Sequence, residues 1–157
     1  MNKLDHILVP LDGSELSEKA LTAAYTLAGM SNAEITLIRV LRPVEKIIKL
    51  GEQHAIYVDQ QIDFKTRRAN KYLETIRHLA AKKSLKVNIV VEMGDAAEEI
   101  INFARKNSID LIIMSTHGRS GLQRWVYGSV ASKMLRGAYN PILLIRSYPG
   151  NDRGEIH

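Results

Sequence analysis

Apolar residues fall in short blocks, separated by stretches with helical spacing. His6-Ile7-Leu8-Val9 is the first block, closed by Pro10, with Leu11-Asp12-Gly13 as its exit turn. Ser14 is placed to cap a helix through about Leu27, with Leu16, Ala20, Ala23, Ala24, Leu27 and Ala28 as its buried stripe and Gly29 as its terminator. Glu34 to Val40 forms a second strand, rich in Ile, Thr and Val, whose imperfect alternation predicts burial on both faces. Residues 41–61 are the least regular stretch. They are long for a strand-to-helix loop and have room for one short helix before Gly51. A helix follows from about Ile62 to Leu85, with Ala69, Tyr72, Leu73, Ile76, Leu79 and Ala80 at helical spacing. Val87 to Val91 is the third strand. Gly94 closes a loop, and Asp95-Ala96-Ala97-Glu98 is a capping-box pattern opening a helix to about Lys106. Asp110 to Met114 is the fourth strand. A further helix begins between Leu122 and Ser129 and ends near Gly137. Asn140-Pro141 restarts the chain, and Ile142 to Ile145 is the fifth strand.

Strand and helix thus alternate four times before a final strand. This order predicts an α/β fold of three layers: a doubly wound, five-stranded parallel sheet between two layers of helices. Ligands of such sheets bind beyond the carboxyl ends of the strands, where the strand order reverses. The exits of the first and fourth strands carry glycine-containing loops, which predicts one site built from both.

Composition bounds this picture without redrawing it. The chain has 157 residues, 45% of them hydrophobic, enough for one domain over 1–147 with a frayed tail at 148–157. With no cysteine, disulfides, zinc-thiolate sites and thiol chemistry are excluded. The N-terminal apolar block is too short for a signal peptide, and no window approaches the roughly 18 apolar residues of a spanning helix. A cytoplasmic protein with no membrane partner is expected. The net charge of +5 is scattered. Its densest clusters, Lys65-Arg67-Arg68-Lys71 and Lys82-Lys83-Lys86, read as a solvated helix face; without interleaved aromatics they do not predict a nucleic-acid partner.

The candidate chemistry lies between residues 115 and 129. Gly118 and Gly121 permit close backbone approach, and Ser115, Thr116, Ser120 and Ser129 bring hydroxyls. Arg119 and Arg124 suit phosphate, and Ser129 falls near a helix N-terminus, where unpaired N–H groups favour anions. By spacing alone, a phosphate site and an ordinary loop with turn glycines both remain open. No lysine follows either glycine pair, as a Walker loop requires, and the first strand exit reads PLDGSELSEK, which is not a dinucleotide fingerprint. His117 has no neighbouring carboxylate in sequence, so loop packing is preferred to acid–base work, and no catalytic residue is assigned. His6, His54 and His78 do not pair at metal-ligand spacing. Trp125 and Tyr127 suit a core or an interface, and Met114 and Met134 suit core filling. A phospho-receiver site is not supported: the first strand offers only Asp12, and no lysine ends the fifth.

Four separated blocks carry a resemblance: HILVPLDGSELSEKAL, VVEMGDAAEEI, IIMSTHGRSGLQRWVYGSVASKMLR and NPILLIR. In that order, over about residues 3–146, the chain resembles the universal stress protein family, whose fold is Rossmann-like. The nucleotide-binding branch carries Gly, two residues, Gly, nine residues, then Gly and Ser or Thr. Here the second glycine is Gly118, and Arg119 to Tyr127 separate it from Gly128-Ser129; Ser115 stands where the first glycine is expected. A positive φ there would strain serine, whereas close approach alone would tolerate it. The resemblance implies ATP (or AMP or ADP) as ligand, with Mg2+ or Mn2+ bridging the phosphates. Pro10, Leu11 and Val40 would line the adenine side, and Asp12 would lie by the nucleotide or its metal. Met114, Ser115, His117, Gly118, Arg119, Gly121, Gly128, Ser129 and Val130 would complete the site. It also implies a homodimer through the last strand, Pro141 to Arg146, paired antiparallel with its copy; Pro141 at the strand start costs no ladder bond. The function implied is an ATP-binding stress-response module that senses or regulates, with at most slow ATP hydrolysis. The alternatives are a dimeric protein-interaction module that has lost nucleotide binding, and a weak hydrolase using His117 and Asp12.

Overall fold

The computed structural model describes residues 3–43, 52–116 and 127–146, with residues 52–56 as helical backbone only. The elements are β1 (His6–Pro10), α1 (Glu15–Ser31), β2 (Glu34–Leu41), α2 (Glu52–Ala81), β3 (Val87–Met93), α3 (Ala96–Lys106), β4 (Leu111–Ser115), α4 (Ser129–Gly137) and β5 (Ile142–Ile145). The five strands form one sheet in the order β3-β2-β1-β4-β5, and every neighbouring pair is parallel. The chain steps outward from β1 to β2 to β3, then returns to the other side of β1 for β4 and β5. The order therefore reverses between β1 and β4.

Alternation along β1 divides the core. Ile7 and Val9 point into a cluster with Ala20, Ala24 and Ala28 of α1 and Leu73 and Ile76 of α2. Leu8 points the other way, into a cluster with Ile100 and Ala104 of α3 and Ala131 and Met134 of α4. β1, β2 and β4 have consecutive buried residues, as strands covered on both faces must. The small alanine stripe of α1 lets that helix lie close to the sheet.

Local chemistry explains most boundaries. Ser14 Oγ accepts the Ser17 N–H at 3.1 Å and opens α1. Asp95 Oδ1 accepts from the N–H groups of Ala97 (3.1 Å) and Glu98 (3.2 Å) and opens α3. The Asp110 carboxylate lies just before β4 and accepts the N–H groups of Asp5 and His6, which fixes the start of β1.

Three expectations are corrected. Gly29 does not end α1; the helix runs on to Ser31, and Asn32 takes the left-handed cap at φ 59°. An exposed glycine inside a helix costs at most about 1 kcal/mol, which is tolerated in this last turn, and asparagine accepts the left-handed turn. α2 begins at Glu52 rather than near Ile62, and it ends at Ala81 rather than Leu85. Its first turns are polar on most sides, so their periodicity is weak, while Val58 is buried. The short helix considered before Gly51 falls at 44–51, outside the described residues. Finally, β4 starts one residue later than expected, because Asp110 is spent on capping β1.

Candidate functional site

The carboxyl ends of β1, β2 and β4 converge at the reversal point. Pro10 ends β1 opposite Ile38 of β2, and the Leu11 N–H donates to the Ile38 carbonyl at 2.9 Å. Asp12 follows at once. Its Oδ1 accepts both the Ser14 N–H (2.9 Å) and the Ser14 hydroxyl (2.6 Å), so the carboxylate is locked into the turn that starts α1. Gly13, between them, has φ +86°, a conformation that side chains rarely adopt.

The other half of the site comes from β4 and α4. Ser115 is the last residue of β4, opposite Ile145, and the Thr116 N–H donates to the Ile145 carbonyl at 2.9 Å. The Gly128 N–H then donates to the Thr116 carbonyl at 2.9 Å. This one bond closes the segment between them and sets the start of α4 against the exit of β4. Gly128 is the N-cap of α4 and has no side chain with which to bond the first-turn N–H groups. Ser129 is exposed beside them. Such a terminus carries partial positive charge and suits an anion.

The remaining candidates separate by face. Val40, Met114 and Val130 belong to the cluster on the α3/α4 side. Leu11 faces the opposite way, at 3% exposure in the α1/α2 core, and offers a ligand only its backbone. Met114 is 5% exposed, which agrees with core filling, while Tyr127 at 47% exposure is not a core residue. Ser115 is not among the described non-glycine residues with positive φ, which are Asn32, Ser84 and Ser108. The backbone at 115 therefore does not strain serine. His117, Gly118, Arg119 and Gly121 lie in 117–126, outside the described residues, as does Trp125.

Side-chain contacts that the sequence did not announce flank these elements. Arg39 of β2 projects to the α1/α2 side, its guanidinium carbon 5.1 Å from the centre of the Tyr72 ring. The Tyr72 hydroxyl donates to Glu18 Oε1 at 2.8 Å. Burial first, and then that bond to a carboxylate, hold the Tyr72 hydroxyl well above the usual tyrosine range. The available signal was one arginine inside an otherwise apolar strand, EITLIRVL. At the start of α3, Lys133 of α4 bonds Asp95 Oδ2 at 2.7 Å. That ammonium, with the Glu98 N–H, holds the Asp95 carboxyl below its ordinary range.

A glycine helix terminus lies at the exit of β4, and a carboxylate turn at the exit of β1. The universal stress protein family model matches residues 3–146. The chain belongs to the universal stress protein family. Universal stress protein YxiE of Bacillus subtilis is 31% identical over 146 residues, covering 89% of this chain and 97% of that protein. The solved structure of MJ0577, a universal stress protein of Methanocaldococcus jannaschii, superposes with a TM-score of 0.82 at 26% identity, covering 93% of this chain and 98% of that one. A family member from Arabidopsis thaliana, solved with AMP bound, shares the fold at a TM-score of 0.66 and 15% identity, covering 92% of this chain and 93% of that one.

Proposed function

We propose that this universal stress protein binds an adenine nucleotide, ATP or its mono- or diphosphate, at the β1/β4 reversal and acts as a stress-response sensing or regulatory module. The observation that carries the reading is the Gly128 N–H to Thr116 carbonyl bond, which sets an uncapped helix terminus at the strand exits. Phosphates would sit on the first-turn N–H groups of α4 with Ser129 beside them. The base would lie toward Val40, Met114 and Val130, with Pro10 and the backbone of Leu11 at its edge. The AMP held by the Arabidopsis relative supports the ligand class. Of the motif residues, His117, Gly118, Arg119 and Gly121 would also contact the nucleotide.

A divalent ion fits this site only as a companion of the nucleotide. Among the described residues no three His, Cys, Asp or Glu side chains gather to hold a metal. Asp12 is a single carboxylate whose Oδ1 is committed to Ser14. Mg2+ or Mn2+ bound mainly through phosphate oxygens, with Asp12 nearby, agrees with how magnesium is held at nucleotides. Nothing in the described site builds a nucleophile with its base, so binding rather than turnover is the proposed role.

We also propose a homodimer through β5. This edge strand is four residues long and apolar, and Leu143 is 37% exposed on it. Exposed Leu135 and Tyr139 lie in the chain just before it. Calorimetry with ATP and AMP, on protein freed of carried-over ligand, tests the nucleotide reading; affinity for neither below about 1 mM rejects it. Sedimentation showing only monomer at micromolar concentration rejects the dimer.

A further inference from the structure

We propose that Arg39 is a positioning residue for the nucleotide site, holding the Asp12-Gly13 turn in place from the opposite side of the sheet. The inference rests on the nucleotide reading above and adds to it a residue outside the proposed ligand contacts. A Cβ built on Gly13 would lie 3.0 Å from both terminal nitrogens of Arg39 and 3.1 Å from its central carbon. Near-equal distances to three atoms of a planar fork mean that the guanidinium faces the Gly13 α-carbon with its flat surface. A side chain at 13 would press on the guanidinium by a few tenths of an ångström, and the positive φ of Gly13 independently favours glycine.

The guanidinium is itself anchored. The Tyr72 ring of α2 lies 5.1 Å from its central carbon, and the Tyr72 hydroxyl is tied to Glu18 of α1. β2, α2 and α1 therefore all bear on one group, and that group bears on the turn. The turn presents Asp12, whose carboxylate is already bonded to Ser14 at the head of α1. Val40, on the same strand as Arg39, faces the other side with Met114 and Val130. The alternation of β2 thus places the proposed base-side contact and the residue bracing the turn at adjacent positions. A planar, five-donor arginine suits such a stacked position, and lysine does not reproduce it.

The test uses the full chain with three substitutions: Arg39→Met, which keeps the stem and removes the fork; Arg39→Lys, which keeps the charge; and Gly13→Ala. Two quantities are read, the affinity for AMP and ATP by calorimetry and the exchange rate of the Ser14 amide by NMR. Circular dichroism checks that each variant is folded. Arg39→Met is expected to weaken both nucleotides about tenfold, as loss of a supporting group around a ligand site does, and to speed Ser14 exchange. Arg39→Lys restores little of either. The Gly13→Ala and Arg39→Met effects on affinity are non-additive, because both act through one contact. Folded Arg39→Met with unchanged Ser14 exchange overturns the proposal, as does full rescue by lysine or strict additivity. A wild-type chain that binds neither nucleotide overturns the nucleotide reading instead; Ser14 exchange then decides alone whether Arg39 holds the turn.

Discussion

Replacing Ser115 with glycine completes the family's nucleotide motif, and the structure gives the sign of the result. Were residue 115 in the left-handed region, serine would cost about 1 kcal/mol there, and glycine would stabilise the fold by that amount. Ser115 is instead the last residue of β4, 7% exposed, paired with Ile145 and without a positive φ. Glycine in a strand relieves no strain at this position and adds backbone entropy to the unfolded chain. Ser115→Gly should therefore destabilise the protein by about 0.5–1 kcal/mol, a fall in melting temperature of about 2 °C for a chain of this size. Nucleotide affinity should stay within about twofold, since the backbone already has the shape that glycine would give it. Thermal denaturation and calorimetry with ATP, run on both proteins in one buffer, give the two numbers. A more stable variant, or one that binds ATP tenfold more tightly, would refute the argument that serine is unstrained here.

Other consequences follow from the same contacts. Asp95→Ala removes the α3 cap and should cost about 1 kcal/mol, whereas Asp95→Asn, which still caps, should cost a few tenths; equal losses in urea titration would mean that the Lys133 pair matters more than the cap. Because the folded Asp95 carboxyl lies below its ordinary range, its contribution is present above the unfolded carboxylate pKa and fades as pH falls through the lowered one, so the Asp95→Asn difference should shrink in acid. The Tyr72 hydroxyl is shifted the other way. Its contribution is complete below the unfolded tyrosine pKa of about 10 and declines above it, so wild type should lose stability faster than Tyr72→Phe in alkaline denaturation curves. If the proposed β5 dimer forms, Leu143→Lys should convert it to monomer in sedimentation and leave the circular dichroism spectrum unchanged. ATP at about 100 times its dissociation constant should add about 2.7 kcal/mol to unfolding; an unmoved melting curve in saturating ATP contradicts binding to the native state.

Much of the fold is legible in one dimension, because its determinants are local. Ile142–Ile145 stands out as four apolar residues after Asn-Pro. Asp95 caps its helix through one side-chain oxygen, with donors two and three residues on. Ser14 does the same for α1. Where competing local signals were present, the sequence misled. Gly29 reads as a stop, yet α1 continues because packing of its alanine face against the sheet outweighs the small cost of one glycine, and Asn32 supplies the turn. The polar first turns of α2 show too little periodicity to be recognised as helix.

The two glycine-containing strand exits were readable from the order of the elements, whereas the motif register, Gly118 to Gly128-Ser129, and the Ser115 departure came from the family resemblance. Which side each residue faces was not. Leu11 and Val40 look equivalent along the chain, but the two faces of one sheet send Leu11 into the α1/α2 core and Val40 toward Met114 and Val130. Arg39, Tyr72 and Gly13 are far apart in sequence and meet only because β2 pairs with β1 beneath α2. Local hydrogen bonding and periodicity act within a few residues, so the sequence by itself determined the elements, their order and the phosphate-suited motif. Strand register and layer packing act across the whole chain. Only the tertiary structure decided that serine at 115 is unstrained and that an arginine lies against the turn carrying Asp12.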